Sequence, residues 1–429
     1  MSTSFLIQNA WIIDPVKKKE FEGDLLIESG KLSAIDVPGK IPQTKAEKII
    51  NAQGIWLMPG LIDVHVHLRE PGFERKETIE TGTLAAVAGG FTSVACMANT
   101  DPVNDTAAIT AFIRKRSKET GKCKVFPIGA VTKGLRGEIL AELEGMVKEG
   151  AIALSDDGMP VMNSLVMRRA MEKAKSLGIT VISHAEDANL VAGGVMNEGI
   201  LSRELGLKGN PAASEEIMVA REIALSRLTK CAVHIAHIST REGIEHVKRA
   251  KEAGLQVTAE ATPHHLMFNE QEMRAKNTNF KMAPPLRSDE DVQALREALA
   301  SGLVDMIATD HAPHGVNDKN VDFEKAANGI VGLQTAVPST LKLVFDGIVS
   351  KTRWVESLTT APAKMIGQKI GTLTIGGDAD ITLISPNKKW NLRAEDIQSK
   401  SANSPFIGKE FQGKIFATIV QGKMVYQNV

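Results

Sequence analysis

Eight short apolar runs, each followed by a segment of helical period, constrain this chain more than any other feature. They lie at about 60–68, 91–97, 123–130, 151–155, 179–183, 232–238, 255–261 and 304–309. Alternation of this kind is the pattern of repeated βα units, and eight of them predict an α/β fold built as a closed (β/α)8 TIM barrel. The intervening segments carry helix signals. Ser164 precedes Val166, Ala170, Ala174 and Leu177 on one face, and Gly178 stands where a left-handed terminating residue belongs. Ser288 with Asp291 reads as a capping box ahead of Val292, Leu295 and Leu299, with Gly302 at the far end.

The two ends of the chain read differently. Asp24-Leu-Leu-Ile-Glu-Ser-Gly, Ala379-Asp-Ile-Thr-Leu-Ile and Lys414-Ile-Phe-Ala-Thr-Ile-Val are short, alternating, turn-bounded runs. Neither end is large enough to enclose a core alone. Residues 1–58 and 370–429 are therefore expected to combine into one small β-sandwich domain beside a barrel at 59–369. Two connections are long, His184 to Ser214 and His314 to Asn328, and both would emerge at the catalytic face; the second is the expected lid.

Lysine plus arginine (51) equal aspartate plus glutamate (51), which leaves no basic footprint for nucleic acid or an anionic membrane. Three scattered cysteines, Cys96, Cys123 and Cys231, fit a reducing compartment. With no signal-like start and no apolar span of membrane length, the expected location is the cytoplasm and the expected partner a small molecule.

The chemistry sits where the apolar runs end. In Leu61-Ile-Asp-Val-His-Val-His67, alternation along a strand turns His65 and His67 to one side, where both can reach one ion. Other runs end in Asp156-Asp157, His184, His237 and Asp310, and a barrel gathers all its strand ends on one rim. Asn99, His264 and His265 belong to the same rim. Four histidines and two carboxylates suit one or two zinc ions, with ligands at ~2.0–2.2 Å. Spacing alone does not separate Asp156 from Asp157. His234, three residues before His237, should face the opposite way and serve the core or support a ligand.

These motifs resemble those of class I dihydroorotases in the amidohydrolase superfamily, over essentially the whole chain. The matching segments are Pro59-Gly-Leu-Ile-Asp-Val-His-Val-His-Leu-Arg-Glu-Pro-Gly72, Asp156-Asp-Gly158, His184-Ala-Glu-Asp187, His237-Ile-Ser-Thr240, Pro263-His-His265, Pro284-Pro-Leu-Arg287, Ala308-Thr-Asp-His-Ala-Pro-His314 and Gly329-Ile-Val-Gly-Leu-Gln334. The resemblance implies reversible cyclisation of N-carbamoyl-L-aspartate to L-dihydroorotate, a step of pyrimidine biosynthesis, by a zinc-bound hydroxide mechanism. By the same resemblance His65, His67 and Asp310 hold one zinc, His184 and His237 the other, Asp157 bridges them, and Asp310 is the catalytic acid and base. Many superfamily members bridge with a carboxylated lysine instead.

Arg69 is the expected anchor for the substrate carboxylate, because a guanidinium meets a carboxylate through two parallel hydrogen bonds. Asn99, His314, Asn328 and Gly329 are the other substrate contacts that the resemblance implies. Three residues near the pocket depart from the family pattern: Ala283 and Ala98, where an asparagine and a proline are usual, and Asn328. Two other functions share the fold: a different cyclic amidohydrolase of allantoinase or dihydropyrimidinase type, and a non-catalytic partner of aspartate transcarbamoylase. A homodimer and an association with that transcarbamoylase are the macromolecular partners to consider.

Overall fold

The structure, a computed structural model, describes residues 4–428, so residues 1–3 and 429 of the two terminal segments lie outside it. All eight apolar runs are strands: Leu61–Val66, Phe91–Cys96, Lys124–Pro127, Ala153–Leu154, Thr180–Ser183, Val233–Ile235, Val257–Ala261 and Met306–Ile307. Six of the seven successive pairs in chain order form parallel ladders. Bridges from Gly129 to Leu154 and from Val66 to His311 join the third strand to the fourth and the eighth to the first. The last strand thus meets the first, with His67 N donating to His311 O at 2.8 Å.

Parallel neighbours need a crossover, and helices provide it. The principal ones are Ile79–Ala88, Ala107–Thr120, Leu143–Lys148, Ser164–Leu177, Ala213–Thr229, Arg241–Glu252 and Asp289–Ser301, with Leu333–Phe345 after the last strand. The capping box of Ser288 and Asp291 forms, and Gly302 ends its helix at φ 82°. At Ser164 the helix starts one residue earlier than expected: Asn163 is the cap, accepting from Leu165 N and Val166 N, while Gly178 closes the helix at φ 70°.

Alternate strand residues serve two cores. Val94, Cys96, Leu154, Val181, Val233 and Ile235 join the large cluster shared with the helices. Ala95, Met97, Ile128, Ala153, Ile182 and Ala236 form a separate cluster of their own. Strand side chains that continue this second set toward the carboxyl ends point into the ring, and this puts the functional residues on one rim.

The terminal segments meet in one eight-stranded sheet. Phe5–Asp14, Lys19–Glu28, Lys31–Asp36, Lys48–Asn51 and Trp56–Pro59 come from the amino end, and Ile381–Asn391, Glu410–Val420 and Lys423–Gln427 from the carboxyl end. Trp56–Pro59 joins the halves by antiparallel pairing with Ile381–Ile384. The sheet has its own core, which includes Ile7, Ile12, Leu25, Ile27, Leu57, Ile381, Leu383 and Ile419.

The long connections are folded. The segment after His184 contains two short helices, Ala188–Val191 and Ile200–Leu205. The segment after His314 contains the helical turn Val316–Lys319, and its Phe323 is buried against Phe268, Phe280 and Met282. Lys319 Nζ donates to Lys281 O at 3.3 Å, outside the segment, so movement of this segment as a lid would have to break that bond and the packing of Phe323. Among the described residues no helix is long and apolar enough to cross a membrane.

Candidate metal centre

The strand ends bring the expected ligands into one buried cluster. His67 Nε2 lies 3.0 Å from Asp310 Oδ1 and 3.4 Å from Asp157 Oδ2. His65 Nε2 lies 3.3 Å from Asp157 Oδ1 and 3.5 Å from Asp310 Oδ1. His184 Nδ1 and His237 Nε2 each lie 3.6 Å from Asp157 Oδ1. Asp157 is therefore central to the group. The duplicate ambiguity of Asp156 is also resolved, because Asp156 Oδ1 accepts from Val131 N at 2.7 Å and Thr132 N at 3.1 Å. That side chain is used up in holding a loop.

Three of the four histidines have the nitrogen they present fixed from behind. His65 Nδ1 donates to Glu260 Oε1 at 2.5 Å, His67 Nδ1 to Asn99 Oδ1 at 2.8 Å and His184 Nε2 to Glu186 Oε2 at 2.9 Å. Each bond leaves the opposite nitrogen facing Asp157, the arrangement a metal-binding imidazole needs once that nitrogen gives up its proton. Glu260 also takes His234 Nε2 at 3.0 Å and His237 N at 3.2 Å. His234 thus supports a ligand, but it does not face away from His237. The strand ends at Ile235, and His237 sits in left-handed backbone at φ 31°, so alternation does not reach it. Asp310 is similarly strained at φ 48°. Such conformations persist only where their surroundings over-determine them.

The electrostatics favour a cation. Burial would lower the pKa of His65, yet Glu260 and Asp157 hold it well above the usual histidine range. Burial is outweighed at His184 too, where Asp157 and Glu186 push it up to about 10. Against burial, the histidines hold Asp157 well below the carboxylate range and bring Asp310 down to about 2. Two atoms at the heart of the cluster, His65 Nε2 and Asp157 Oδ1, are buried without a hydrogen-bond partner. Nitrogen and oxygen donors that face one another in a field favouring positive charge fit one or two divalent ions, which would take the place of the histidine protons. The groups His65–His67–Asp310 and His65–Asp157–His237 each bring their ligand atoms within 4.8 Å of one another. His264 and His265 belong to neither group; His265 is bonded to Thr262 Oγ1 at 2.8 Å and Pro284 O at 3.0 Å.

A cavity of about 380 Å³ opens onto this cluster, and Arg69, Asn99, His314, Asn328, Gly329 and Ala283 all line it. Arg69, at φ 60°, points its guanidinium to Pro313 O (3.3 Å) and His314 Nε2 (3.4 Å). Glu260 and Glu186 are functional residues that sequence reasoning missed. A lone carboxylate inside Val257-Thr-Ala-Glu-Ala261 was the available signal for the first, since a charge in a buried strand needs a partner.

A ring of parallel strands whose carboxyl ends converge on histidines and aspartates defines the amidohydrolase class. L-Hydantoinase (dihydropyrimidinase) from Arthrobacter aurescens shares the fold at TM-score 0.90 and 26% identity, over 99% of this chain and 96% of that one. The family model described as Dihydro-orotase-like matches residues 54–243. The dihydroorotase of Syntrophus aciditrophicus (strain SB) is 48% identical over 423 residues, 98% of this chain and 99% of that protein. That of Geobacter metallireducens is 47% identical over 424 residues, 99% of this chain and 100% of that protein. The chain belongs to the dihydroorotase family.

Proposed function

We propose that this protein is a metal-dependent dihydroorotase, interconverting N-carbamoyl-L-aspartate and L-dihydroorotate. One observation carries the reading beyond family membership. Arg69 is a guanidinium sunk beside the ligand cluster, and no carboxylate among the described residues lies within ion-pair distance of it. Burial lowers its pKa to about 10, against the longer-range pull of Asp310 and Asp157, so it stays charged at neutral pH. An unpaired, half-buried cation beside a hydrolytic centre suits a substrate that brings its own carboxylate.

The proposed cofactor is zinc, one or two ions, with His65, His67 and Asp310 on one side, His184 and His237 on the other, and Asp157 between. When bound, such ions polarise a carbonyl and make water acidic near neutral pH. The protein supplies the rest. Arg69 would hold the carboxylate and so fix the ring relative to Asp310, with His314, Asn99 and the Asn328–Gly329 backbone lining the remaining wall. Asp310, with Oδ1 at 3.0 Å from His67 Nε2, would carry the proton to the ring nitrogen in hydrolysis and take it from the ureido nitrogen in synthesis. Held well into the carboxylate form, it is ready to accept.

For the scaffold, we propose that the ring is a (β/α)8 barrel spanning 59–369 and that 1–58 with 370–429 form a β-sandwich. The bulge between Ile7 and Ala10 supports the latter, because it bends one strand to serve Lys48–Asn51 at one end and Trp56–Pro59 at the other. Three free, buried cysteines suit the cytoplasm. Turnover of dihydroorotate, allantoin and dihydrouracil on metal-quantified protein tests the reading. Dihydroorotate should be strongly preferred; a better rate on a ring without a carboxylate would replace the assignment with a hydantoinase-like one.

A further inference from the structure

The loop after the first strand and the segment after the eighth meet at the cavity wall formed by Arg69 and His314. There Lys76 Nζ lies 3.1 Å from His314 Nδ1 and 3.4 Å from Asp318 Oδ2, with its side chain only 15% exposed. On the other side of the same ring, Arg69 Nη2 lies 3.4 Å from His314 Nε2. Both ring nitrogens therefore face N–H donors, and a neutral imidazole accepts at one nitrogen only. Lys76 is nearer and has no acceptor to offer, so Nδ1 accepts and Nε2 carries the hydrogen. That hydrogen has no protein acceptor at Arg69. It is left beside the guanidinium as a second donor on the cavity wall.

The surrounding charges keep the ring in this state. Burial, then Arg69, Lys76 and Lys319, push His314 down to about 2, while Asp318 opposes them with Oδ2 at 4.0 Å from Nδ1. The main chain is held independently, since His314 N donates to Asn403 Oδ1 at 3.0 Å.

We propose that Lys76 is a positioning residue for substrate selection: its ammonium fixes the His314 tautomer so that His314 and Arg69 together present two donors to the carboxylate of an anionic ring. This role rests on the dihydroorotase reading and adds a residue to it. Lys76 touches no substrate; it acts through His314.

Steady-state kinetics of Lys76→Met, Lys76→Arg and Asp318→Asn, from about pH 6 to about pH 9 where unperturbed histidine changes charge, test it. Loss of one hydrogen bond to a charged group predicts about a tenfold rise in KM for dihydroorotate in Lys76→Met, larger than any fall in kcat. Burial and Arg69 remain in this variant and keep His314 neutral over the range, so the rise, which reflects a freed tautomer and not a change of charge, should be the same at every pH. Lys76→Arg should restore a flat, native KM, and Asp318→Asn should leave it flat. An unchanged KM in Lys76→Met, or the same rise in Asp318→Asn, would overturn the proposal in favour of simple loop support. Ring nitrogen chemical shifts of His314 read the tautomer without turnover: Nδ1 unprotonated in the native protein and released in Lys76→Met. If the native enzyme failed to turn over dihydroorotate while these shifts behaved as expected, the functional reading would fail and the tautomer assignment would stand. Unaltered shifts would sink the assignment itself.

Discussion

The two ends of the cavity are built by opposite means. At the ligand end, His65, His67, Asp157, His184 and His237 come from strand ends, and Glu260, Asn99 and Glu186 lock three of the rings from behind. At the other end, the proposed anion end, Arg69 and His314 come from connections, the charges around His314 are mostly cations, Arg69 feels carboxylates only beyond ion-pair distance, and one contact between the two is donor against donor. The first end is complete apart from positive charge, which an ion supplies. The second lacks negative charge, which on the proposed reading the substrate carboxylate would supply. The fold is shared with a hydantoinase at TM-score 0.90, and on the proposed reading substrate choice would rest with the connections, where loops generally carry specificity.

The largest expected effect lies where the ends meet. Asp310→Asn keeps the shape of the side chain but removes its capacity to carry a proton, and general acid–base assistance is worth ~10²–10⁴-fold. kcat for dihydroorotate should fall by at least that much, with KM changed far less. Retention of most of the native kcat would remove Asp310 from its proposed role.

Arg69→Met should come next and strike only the anion end. Two hydrogen bonds to a carboxylate, at ~1.5 kcal/mol each, predict a loss of about 100-fold in kcat/KM for dihydroorotate with metal content unchanged. Metal loss in this variant would show that the ends are not separable. Glu260→Gln is the mirror experiment. It weakens the bond that orients His65, and supporting contacts of this kind commonly cost ~10–100-fold in metal affinity. Metal retained per chain after dialysis against a chelator should drop, while KM on reloaded enzyme stays near native.

The same contrast explains what was legible in the sequence. Strand ends declare themselves because an apolar run stops at a polar residue, so the sequence alone places His65, His67, His184, His237 and Asp310 on one rim. Local signals were equally clear: Ser288, Asp291 and Gly302 are neighbours in the chain, and their cap forms as read. What failed to show depends on contacts across the chain. Only the hydrogen bonds of Asp156 to Val131 and Thr132 turn it away from the cluster and leave Asp157 central. Glu260 is separated from His65 by 195 residues, and nothing local ties them. His234 was placed on the wrong side because a period of two was carried past the end of a three-residue strand. The join of Trp56–Pro59 to Ile381–Ile384 was foreseeable as an event, since neither end could fold alone, but its register was not.

The smallest effect tests whether the anion end is finished. Ala283 stands where the family usually places an asparagine that touches substrate, and here it lines the cavity with Asn328 and Gly329. Ala283 is half-buried, so an added amide has space toward the cavity. If the carboxylate lies between Arg69 and His314, Ala283→Asn adds one donor near a charge already held by two, and a third bond contributes less than the ~1.5–3 kcal/mol of an isolated one. KM for dihydroorotate should then fall by only a few-fold. Dihydrouracil, which has no carboxylate, should be indifferent to the change. A fall of a hundredfold would mean that Arg69 and His314 leave the carboxylate poorly held in the native protein, and the weight of recognition would shift from the two connections to the loop that carries Ala283. An increase in KM would mean that this loop closes the pocket against a smaller ring, and that the native alanine is itself the selective feature.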